Sequence, residues 1–357
     1  MKEGFRWCPF CGKPHGLADR VCTETGKALD VMLHRSQRSA GSACAEPSMV
    51  GSILGGKYRI LRQIGAGGMG FVFEAQDLVL KSLVAIKVVI KRDSPEALAR
   101  LALEARFVAA CHHPNICNVL DVGQLPNGGP YIVLERLFGE TLAAHMKSWR
   151  VKPVREVVNI FLQTLSGLDA AHRVHIVHRD LKPQNIFLAN HAAPGPIVKI
   201  LDFGFARDLS TLVSERITQA GKACGTAQYM SPEQLGVQEL DFRSDLFAVG
   251  VMMYEILTGR HPFAGSSKLD VQVRILRENP PPLRKYRPDV SPEVEQIVAM
   301  AMSKDRNHRP STAAHMHDAL TEAMARLASA DELNDELEPV SMTAPIWLPP
   351  TSSPPLE

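Results

Sequence analysis

Two hydrophobic patterns divide the chain. Between Tyr58 and Glu135, apolar and polar residues alternate in short runs separated by turn residues, a pattern that predicts β-strands. From Val154 to Arg173 the apolar residues recur every three or four positions, which predicts a long amphipathic helix. Ala-rich helical sequence continues to Leu327. We therefore expect an α+β protein with strands first and helices afterwards.

A glycine-rich turn lies between two of the predicted strands. Tyr58–Ile64 and Phe71–Ala75 flank Gly65-Ala-Gly67-Gly68-Met-Gly70. Such glycines are weak evidence alone, because dinucleotide-binding turns and plain hairpins also have them. A dinucleotide site leads into a helix, whereas here a strand follows. Glycines in a strand–turn–strand unit let backbone N–H groups approach phosphate oxygens without an intervening side chain.

Three further elements follow this turn. Val84–Val89 is a strand pattern that is apolar except at Lys87. Residues 95–111 have helical composition, with Pro near the start and Glu104 in the middle. Tyr131–Glu135 is again typical of a strand.

The first 32 residues form a Cys-rich segment. Cys8 and Cys11 lie three residues apart on a turn closed by glycine, so both thiolates can face one tetrahedral metal ion, and Cys22 follows. We predict a zinc knuckle with these three ligands. The fourth ligand is missing where a second Cys-x-x-Cys is expected, and His15 and Glu24 are the alternatives. A metal-free remnant is the competing interpretation.

The remaining terminal segments have the composition of irregular chain. Residues 33–56 are rich in Ser, Ala, Gly and Arg, which predicts a linker. Residues 329–357 are acidic and Pro-rich, which predicts a disordered tail.

Composition excludes several function classes. The 357 residues carry 40 basic and 38 acidic side chains, for a net charge of +2, and no long basic run indicates a nucleic-acid partner. No apolar run approaches the ~20 residues of a membrane helix. The N-terminus does not resemble a signal peptide. Four of the seven cysteines (Cys44, Cys111, Cys117 and Cys224) are scattered without pattern, which favours reduced thiols. We expect a cytoplasmic protein without a membrane span.

The strongest chemical signal is the run from His178 to Asn185, followed by Asp202-Phe-Gly204. It joins a carboxylate, an ammonium and an amide in one short loop and adds a second carboxylate beyond a strand pattern. Phosphoryl transfer from a metal-bound nucleotide requires this set. One acid orients the hydroxyl, one cation neutralises the migrating phosphate, and two oxygen ligands hold Mg²⁺.

In this order the motifs resemble the bacterial eukaryotic-like (Hanks-type) serine/threonine protein kinases. The resemblance covers Tyr58 to Leu327 and implies a bilobal kinase fold over residues 57–328. A small antiparallel β-sheet lobe with one helix (57–137) is expected to precede a larger, mainly helical lobe (138–328). Lys182-Pro183 after Asp180 favours serine/threonine over tyrosine specificity.

The resemblance also implies residue roles. Asp180 is the base that orients the substrate hydroxyl, and Lys182 neutralises the γ-phosphate. Lys87 holds the α- and β-phosphates and pairs with Glu104. Asn185 and Asp202 ligate Mg²⁺ or Mn²⁺. The ATP pocket is implied to consist of Ile64, Gly65, Gly67, Gly70, Val72, Ala85, Leu134, Glu135, Leu137 and Phe187.

Other residues are expected to support or regulate this centre. His178 is interpreted as a structural residue beneath the loop rather than a proton shuttle. By resemblance, Glu233 pairs with Arg309, and Asp245 caps backbone near the catalytic loop. The activation segment offers Thr218 as the first and Ser214 as the second phosphorylation site, since Arg179 can pair with a phosphate.

The function expected from these motifs is transfer of the ATP γ-phosphate to Ser/Thr hydroxyls of proteins, including the chain itself. A homodimer that phosphorylates in trans and regulatory partners at the termini are further expectations. The alternative is an ATP-binding pseudokinase scaffold, which would lack Lys87, Asp180, Asn185 or Asp202. A small-molecule phosphotransferase would lack the Ser231-Pro-Glu233 segment. All of these residues are present.

Overall fold

The computed structural model describes residues 5–7, 14–16, 49–67, 70–89, 111–148, 152–190, 195–203, 226–236 and 239–337. They form two sheets, a helical region and a short hairpin. In the hairpin, β1 (Phe5–Trp7) pairs antiparallel with β2 (Pro14–Gly16), and Trp7 lies opposite Pro14.

The larger sheet has six strands in the order β3-β4-β5-β6-β8-β7, and all neighbours are antiparallel. The strands are β3 (Ile53–Leu54), β4 (Tyr58–Gly67), β5 (Gly70–Asp77), β6 (Leu83–Val89), β7 (Val119–Gln124) and β8 (Pro130–Glu135). Alternate residues of these strands face one core, because successive side chains of a strand point to opposite sides. That core contains Ile60, Phe73, Ile86 and Val133. The strands predicted around the glycine turn and at Lys87 are confirmed.

The sheet starts earlier than the sequence indicated. Ile53 pairs with Arg59 and Leu54 with Tyr58, although these residues fall within the predicted linker 33–56. Leu54 is only 5% exposed and packs in the core of the sheet. A two-residue strand is too short to show an alternating pattern, so the boundary moves from residue 57 to Ile53.

Seven α-helices lie among the residues that the structure describes. They are α1 (Leu142–Ser148), α2 (Val154–Arg173), α3 (Pro232–Leu235), α4 (Arg243–Thr258), α5 (Lys268–Arg277), α6 (Pro292–Ala301) and α7 (Ala313–Leu337). The predicted amphipathic helix 154–173 is confirmed as α2. None of these helices combines the length and apolar character needed to cross a membrane.

Helix α4 lies at the centre of the helical lobe. Nearly all of its residues are buried, including Phe247 and Tyr254, because its sequence is apolar on every side. It packs on both α2 and α6. Gly259 ends the helix in the left-handed conformation, with φ 67°, that glycine adopts without steric cost.

Helix α7 runs to Leu337, nine residues beyond the predicted domain end at 328. Residues 328–337 contain Ala, Leu and Glu, which have high helix propensity. Acidic composition therefore did not prevent a helix here, and the irregular tail was predicted to begin too early.

A three-stranded sheet connects the helical lobe to the predicted catalytic residues. Its order is β11-β10-β9, with β9 (Gly139–Thr141), β10 (Ile186–Ala189) and β11 (Ile197–Ile200) antiparallel. Ile186 lies opposite Ile200. The residue before β10 and the residues after β11 therefore lie side by side at one end of this sheet.

Candidate active site

The first acidic residue of the site lies in the loop between α2 and β10. Lys182 Nζ donates to Asp180 Oδ2 at 2.8 Å, and Asn185 Nδ2 donates to the Asp180 carbonyl at 2.8 Å. Lys182 is extended, as a residue before proline prefers, and Pro183 begins a short 3₁₀ turn that ends at Asn185. Local backbone geometry thus brings the carboxylate, the ammonium and the amide together.

The loop is fixed from below by Asp245, in the first turn of α4. Its Oδ2 accepts from the backbone N–H of His178 at 2.8 Å and from His172 Nε2 at 2.9 Å, and its Oδ1 accepts from the Arg179 N–H at 3.0 Å. Burial would raise the pKa of Asp245, but the bond from His172 and the neighbouring donors hold it below its usual value. The predicted capping role of Asp245 is confirmed.

His178 lies fully buried beneath the loop, with its ring 4.9 Å from that of Phe203. Its Nδ1 accepts from the Asp180 N–H at 3.2 Å, so Nε2 carries the proton and donates to the Leu201 carbonyl at 2.8 Å. Both ring nitrogens are used in holding backbone. The interpretation of His178 as a structural residue is confirmed.

The second acidic residue, Asp202, directly follows the end of β11. The Leu201 N–H donates to the Asn185 carbonyl at 2.8 Å, so the segment carrying Asp202 lies against the loop. Asp202 Oδ1 lies 2.7 Å from Lys87 Nζ, which projects from β6 of the six-stranded sheet. The structure therefore brings Lys87, Asp202, Asn185 and Asp180 into one connected group between the two lobes.

A third feature is the short segment beside the loop that begins at Ser231. The guanidinium of Arg309 donates to both carboxylate oxygens of Glu233, at 2.6 and 2.8 Å, and Ser244 Oγ donates to the same group at 2.7 Å. Burial would raise the pKa of Glu233, but the bonds and charge of Arg309 lower it to about 2. The predicted Glu233–Arg309 pair is confirmed.

These motifs agree with a family match. Residues 58–321 match the protein kinase domain family. The chain belongs to the protein kinase family. Among its solved structural neighbours is the kinase domain of Mycobacterium tuberculosis PknI, with a TM-score of 0.61 and 24% identity, covering 77% of this chain and all of that domain. This likeness confirms the predicted bilobal kinase fold.

Curated relatives of this kinase are named as serine/threonine-protein kinases. It is 41% identical over 271 residues to pkn3 of Myxococcus xanthus, covering 74% of this chain and 49% of the relative. It is 37% identical to PknB of Mycolicibacterium smegmatis, covering 82% and 47%. For PknA of Mycobacterium tuberculosis the identity is 35%, covering 84% and 68%. The chain thus spans about half the length of the first two.

In the glycine turn of this kinase, steric contact with the neighbouring strand explains why residue 70 is glycine. The residue adopts φ 150°, and a Cβ there would lie 1.8 Å from the Val88 carbonyl oxygen. Only glycine fits this approach to the neighbouring strand. Gly65 lies opposite Val72 and Gly67 opposite Gly70 in the β4–β5 ladder. Their predicted role around ATP phosphates stays a prediction.

Two residues of the predicted adenine pocket are cross-strand neighbours. Ala85 of β6 lies opposite Leu134 of β8, and Ala85 is 8% exposed. Phe187 lies on β10 opposite Lys199 and Thr141. The assignment of these residues and Ile64 to the nucleotide remains a prediction.

The segment joining the two lobes has its own polar contacts. The Glu135 carboxylate accepts from the Asn118 N–H at 2.8 Å and from Lys199 Nζ at 2.7 Å. The Arg136 guanidinium donates to the Leu137 carbonyl. The backbone of Glu135 and Leu137 is predicted to bond the adenine base, and the Leu137 carbonyl already accepts from Arg136.

Several predicted residues lie outside the described residues: Glu104, Gly204, Thr218, Ser214, Cys8, Cys11 and Cys22. Their roles stay predictions. Within the part of the chain that the structure describes, no group of three or more His, Cys, Asp or Glu side chains is arranged to hold a metal ion. The relatives likewise give zinc no support.

Sequence reasoning missed four contacts at this site. Gln234 Nε2 donates to the Arg179 carbonyl at 2.7 Å, and Lys199 binds Glu135. Glu74 accepts from Arg62 Nε at 2.8 Å and from Arg136 Nε at 2.7 Å, which ties β5 to the interlobe segment. The sequence contains a Ser-x-x-Gln capping signal, formed by Ser231 and Gln234. This signal predicts only the local helix cap and not the bond from Gln234 to Arg179.

Proposed function

We propose that this chain is an active serine/threonine protein kinase, which transfers the γ-phosphate of ATP to Ser and Thr hydroxyls of proteins, including itself. The observation that carries the proposal is the connected group at the lobe boundary. Lys182 contacts Asp180, Asn185 contacts both the Asp180 and Leu201 backbones, and Lys87 contacts Asp202. Phosphoryl transfer requires these side-chain types at one centre.

The residues fit a nucleotide-bound Mg²⁺ or Mn²⁺. Asn185 uses its amide nitrogen within the loop, which leaves its oxygen as the ligand atom. Asp202 supplies a carboxylate, and hard divalent cations prefer such oxygen donors. When bound, the metal neutralises phosphate charge. Lys87 is 2.7 Å from Asp202, so the same ammonium lies where phosphates and metal would be held together.

Two residues of the loop, Asp180 and Lys182, act directly in the transfer. The Asp180 carboxylate orients the substrate hydroxyl and accepts its proton as the new oxygen–phosphorus bond forms, while the bond from the γ-phosphorus to the bridging oxygen breaks and ADP leaves. Lys182, already bonded to Asp180, neutralises charge on the migrating phosphoryl group. Because His178 is buried and uses both ring nitrogens on backbone, it takes no part in proton transfer.

A pseudokinase scaffold is the alternative, and catalysis distinguishes the two. We expect the wild-type chain to incorporate radiolabelled phosphate from Mg-ATP on Ser or Thr. Asp180→Asn should lower the rate by about a hundredfold or more, the range for a positioned general base. Lys87→Met should abolish labelling.

Matched controls separate chemistry from folding. Asp318→Asn and Lys57→Met replace an exposed acid on α7 and a half-exposed lysine in the turn between β3 and β4, and both should leave the rate unchanged. Mixing unlabelled Asp180→Asn protein with wild type tests trans-phosphorylation. Wild-type protein that binds ATP but labels no hydroxyl would support the scaffold instead.

Regulation by phosphate on the activation segment is part of the proposal, with Thr218 first and Ser214 second. Arg179 supports it, since its Nε is buried without a hydrogen-bond partner among the described residues. An anionic phosphate would satisfy that donor. Mapped phosphate at Thr218 and loss of activity in Thr218→Ala are expected. Full activity of the alanine variant would reject Thr218.

Zinc binding by Cys8, Cys11 and Cys22 is proposed separately. The pairing of β1 with β2 supports it, because these two strands precede Cys8 and follow Cys11 in the sequence. Purified protein should contain about one zinc per chain. The Cys8→Ser/Cys11→Ser variant should lose it, whereas Cys44→Ser should keep it. Cytoplasmic location and partners at the termini remain predictions.

A further inference from the structure

The residue before the proposed base has an unusual backbone. Arg179 adopts φ 63°, the left-handed region, which a residue with a long side chain rarely enters. Such a conformation is strained and persists only where surrounding contacts hold it in place. The peptide unit that follows Arg179 carries Asp180, so the contacts that hold this backbone also orient the base.

The peptide unit between Arg179 and Asp180 is held on both sides. On one side, the Asp180 N–H donates to the His178 carbonyl at 2.9 Å and to His178 Nδ1 at 3.2 Å. On the other side, the Arg179 carbonyl accepts from Gln234 Nε2 at 2.7 Å. Because a peptide unit is planar, these two contacts together fix its rotation.

The Gln234 side chain has its own fixed orientation. Its Oε1 accepts from the Ser231 N–H at 2.9 Å, which completes the capping box of α3. Flipping the amide would set a donor against the Ser231 N–H and an acceptor against the Arg179 carbonyl. Only one orientation therefore satisfies both neighbours, and it directs Nε2 at Arg179.

The helix that carries Gln234 is itself anchored in the lobe. Its Glu233 binds Arg309 and Ser244, and these three side chains are all buried. A displacement of α3 would therefore move Gln234, and with it the Arg179 carbonyl. This is a direct physical connection from the Ser231-Pro-Glu233 segment to the base.

We propose that Gln234 is a positioning residue, which holds the Arg179–Asp180 peptide unit and so couples the segment beside the protein substrate to the base. The catalytic part of this inference rests on the proposed kinase function. Gln234 does not touch the reacting atoms. It acts through the orientation of Asp180.

Two substitutions separate the donor from the rest of the side chain. Gln234→Glu keeps an oxygen for the Ser231 N–H but sets a carboxylate oxygen against the Arg179 carbonyl. Gln234→Met keeps the length and is neutral, and it removes both the donor to Arg179 and the acceptor of the Ser231 N–H without adding repulsion. Gln296→Glu is the matched control, since it adds the same charge at an exposed position of α6.

The expected result is a graded loss of kcat, in which Gln234→Met keeps a higher kcat than Gln234→Glu. Leaving the partly buried Arg179 carbonyl unpaired should lower kcat by about tenfold to a hundredfold, whereas KM for ATP should change less than about twofold. Gln296→Glu should keep wild-type kcat. A residue that only stabilised the fold would lower the melting temperature without this split between kcat and KM.

Hydrogen exchange tests the contact without relying on activity. The Asp180 amide should exchange faster in both Gln234 variants than in wild type or Gln296→Glu, at temperatures where all four remain folded. Unchanged exchange together with unchanged kcat would overturn the inference. Wild-type protein that transfers no phosphate would refute the proposed function, and the exchange rates would still decide whether Gln234 holds the loop.

Discussion

The two sides of the catalytic centre are held in different ways. On the side of the base, Asp245 and Gln234 reach the loop from separate helices, and Glu233 and Arg309 are almost completely buried. On the nucleotide side, Lys87 reaches across the lobe boundary to Asp202, whose side chain is 34% exposed.

This difference indicates that the fold organises one side of the site and that ligand binding completes the other. The base side is built by the fold and is ready before any ligand binds, because its polar groups are buried and bonded to one another. The nucleotide side contains a cation and an anion that neutralise each other across the lobe boundary. Phosphates and a divalent cation would take over these charges, so binding would complete this side of the site.

The largest expected effect is on the buried pair of the base side. Arg309→Leu leaves the Glu233 carboxylate buried without its partner and should lower the free energy of unfolding by about 3–5 kcal/mol. Urea unfolding at pH 7 measures this loss. Adding Glu233→Leu should recover part of it, because no charge is then left unpaired. Equal losses in the single and double variants would contradict the interpretation.

The same pair should depend on pH. Since the pKa of Glu233 is lowered from 4.5 to about 2, the ionised pair stabilises the fold fully above pH 4.5 and loses this contribution as pH falls towards 2. The difference in unfolding free energy between wild type and Glu233→Gln should therefore shrink in acid. A constant difference would show that ionisation of Glu233 is not involved.

A smaller effect is expected at His261, which supports the segment beside the loop. Its Nδ1 accepts from the Phe263 N–H and its Nε2 donates to the Gln228 carbonyl, both at 3.2 Å. A second proton would break the first bond, and burial lowers the pKa of His261 from 6.5 to about 4. The unfolded chain therefore binds the proton first.

Stability should thus fall as pH drops from 6.5 towards 4, by about 3 kcal/mol. Thermal or urea unfolding across this range measures the slope. His261→Gln keeps a donor and an acceptor but does not titrate, so its profile should be flatter there. Parallel profiles for the two proteins would assign the slope to other groups.

The smallest expected effect on stability is on the nucleotide side. Lys87→Met removes one partly exposed ion pair and should change the free energy of unfolding by about 1 kcal/mol or less. The same substitution should abolish phosphate transfer. A loss comparable to that of Arg309→Leu would mean that Lys87 is a structural residue, and the contrast between the two sides would fail.

Elements with a local pattern were predictable from the sequence. Helix α2 begins and ends at Val154 and Arg173 as expected, and the strands around Gly70 follow their alternation. The short strand at Ile53 and the last turns of α7 were not predicted, because two residues show no periodicity and acidic composition masked good helix formers.

The site was predictable where family motifs supply the pairing. Glu233 with Arg309 and the cap by Asp245 followed from the resemblance, although 76 residues separate the first pair. The bonds from Gln234 to Arg179 and from Lys199 to Glu135 belong to no such motif. Nothing along the chain marks a glutamine as the partner of a carbonyl 55 residues away, since only folding brings them together.

Helix α4 has a consequence for how the proposed activity is lost under heat. Asp245 in its first turn binds the backbone of the loop that carries Asp180, while the remainder of the helix is buried among apolar side chains. Loosening the middle of the lobe would release the general base at the same moment. Thermal inactivation should therefore coincide with melting of the lobe interior, and no warm, half-molten form should retain turnover.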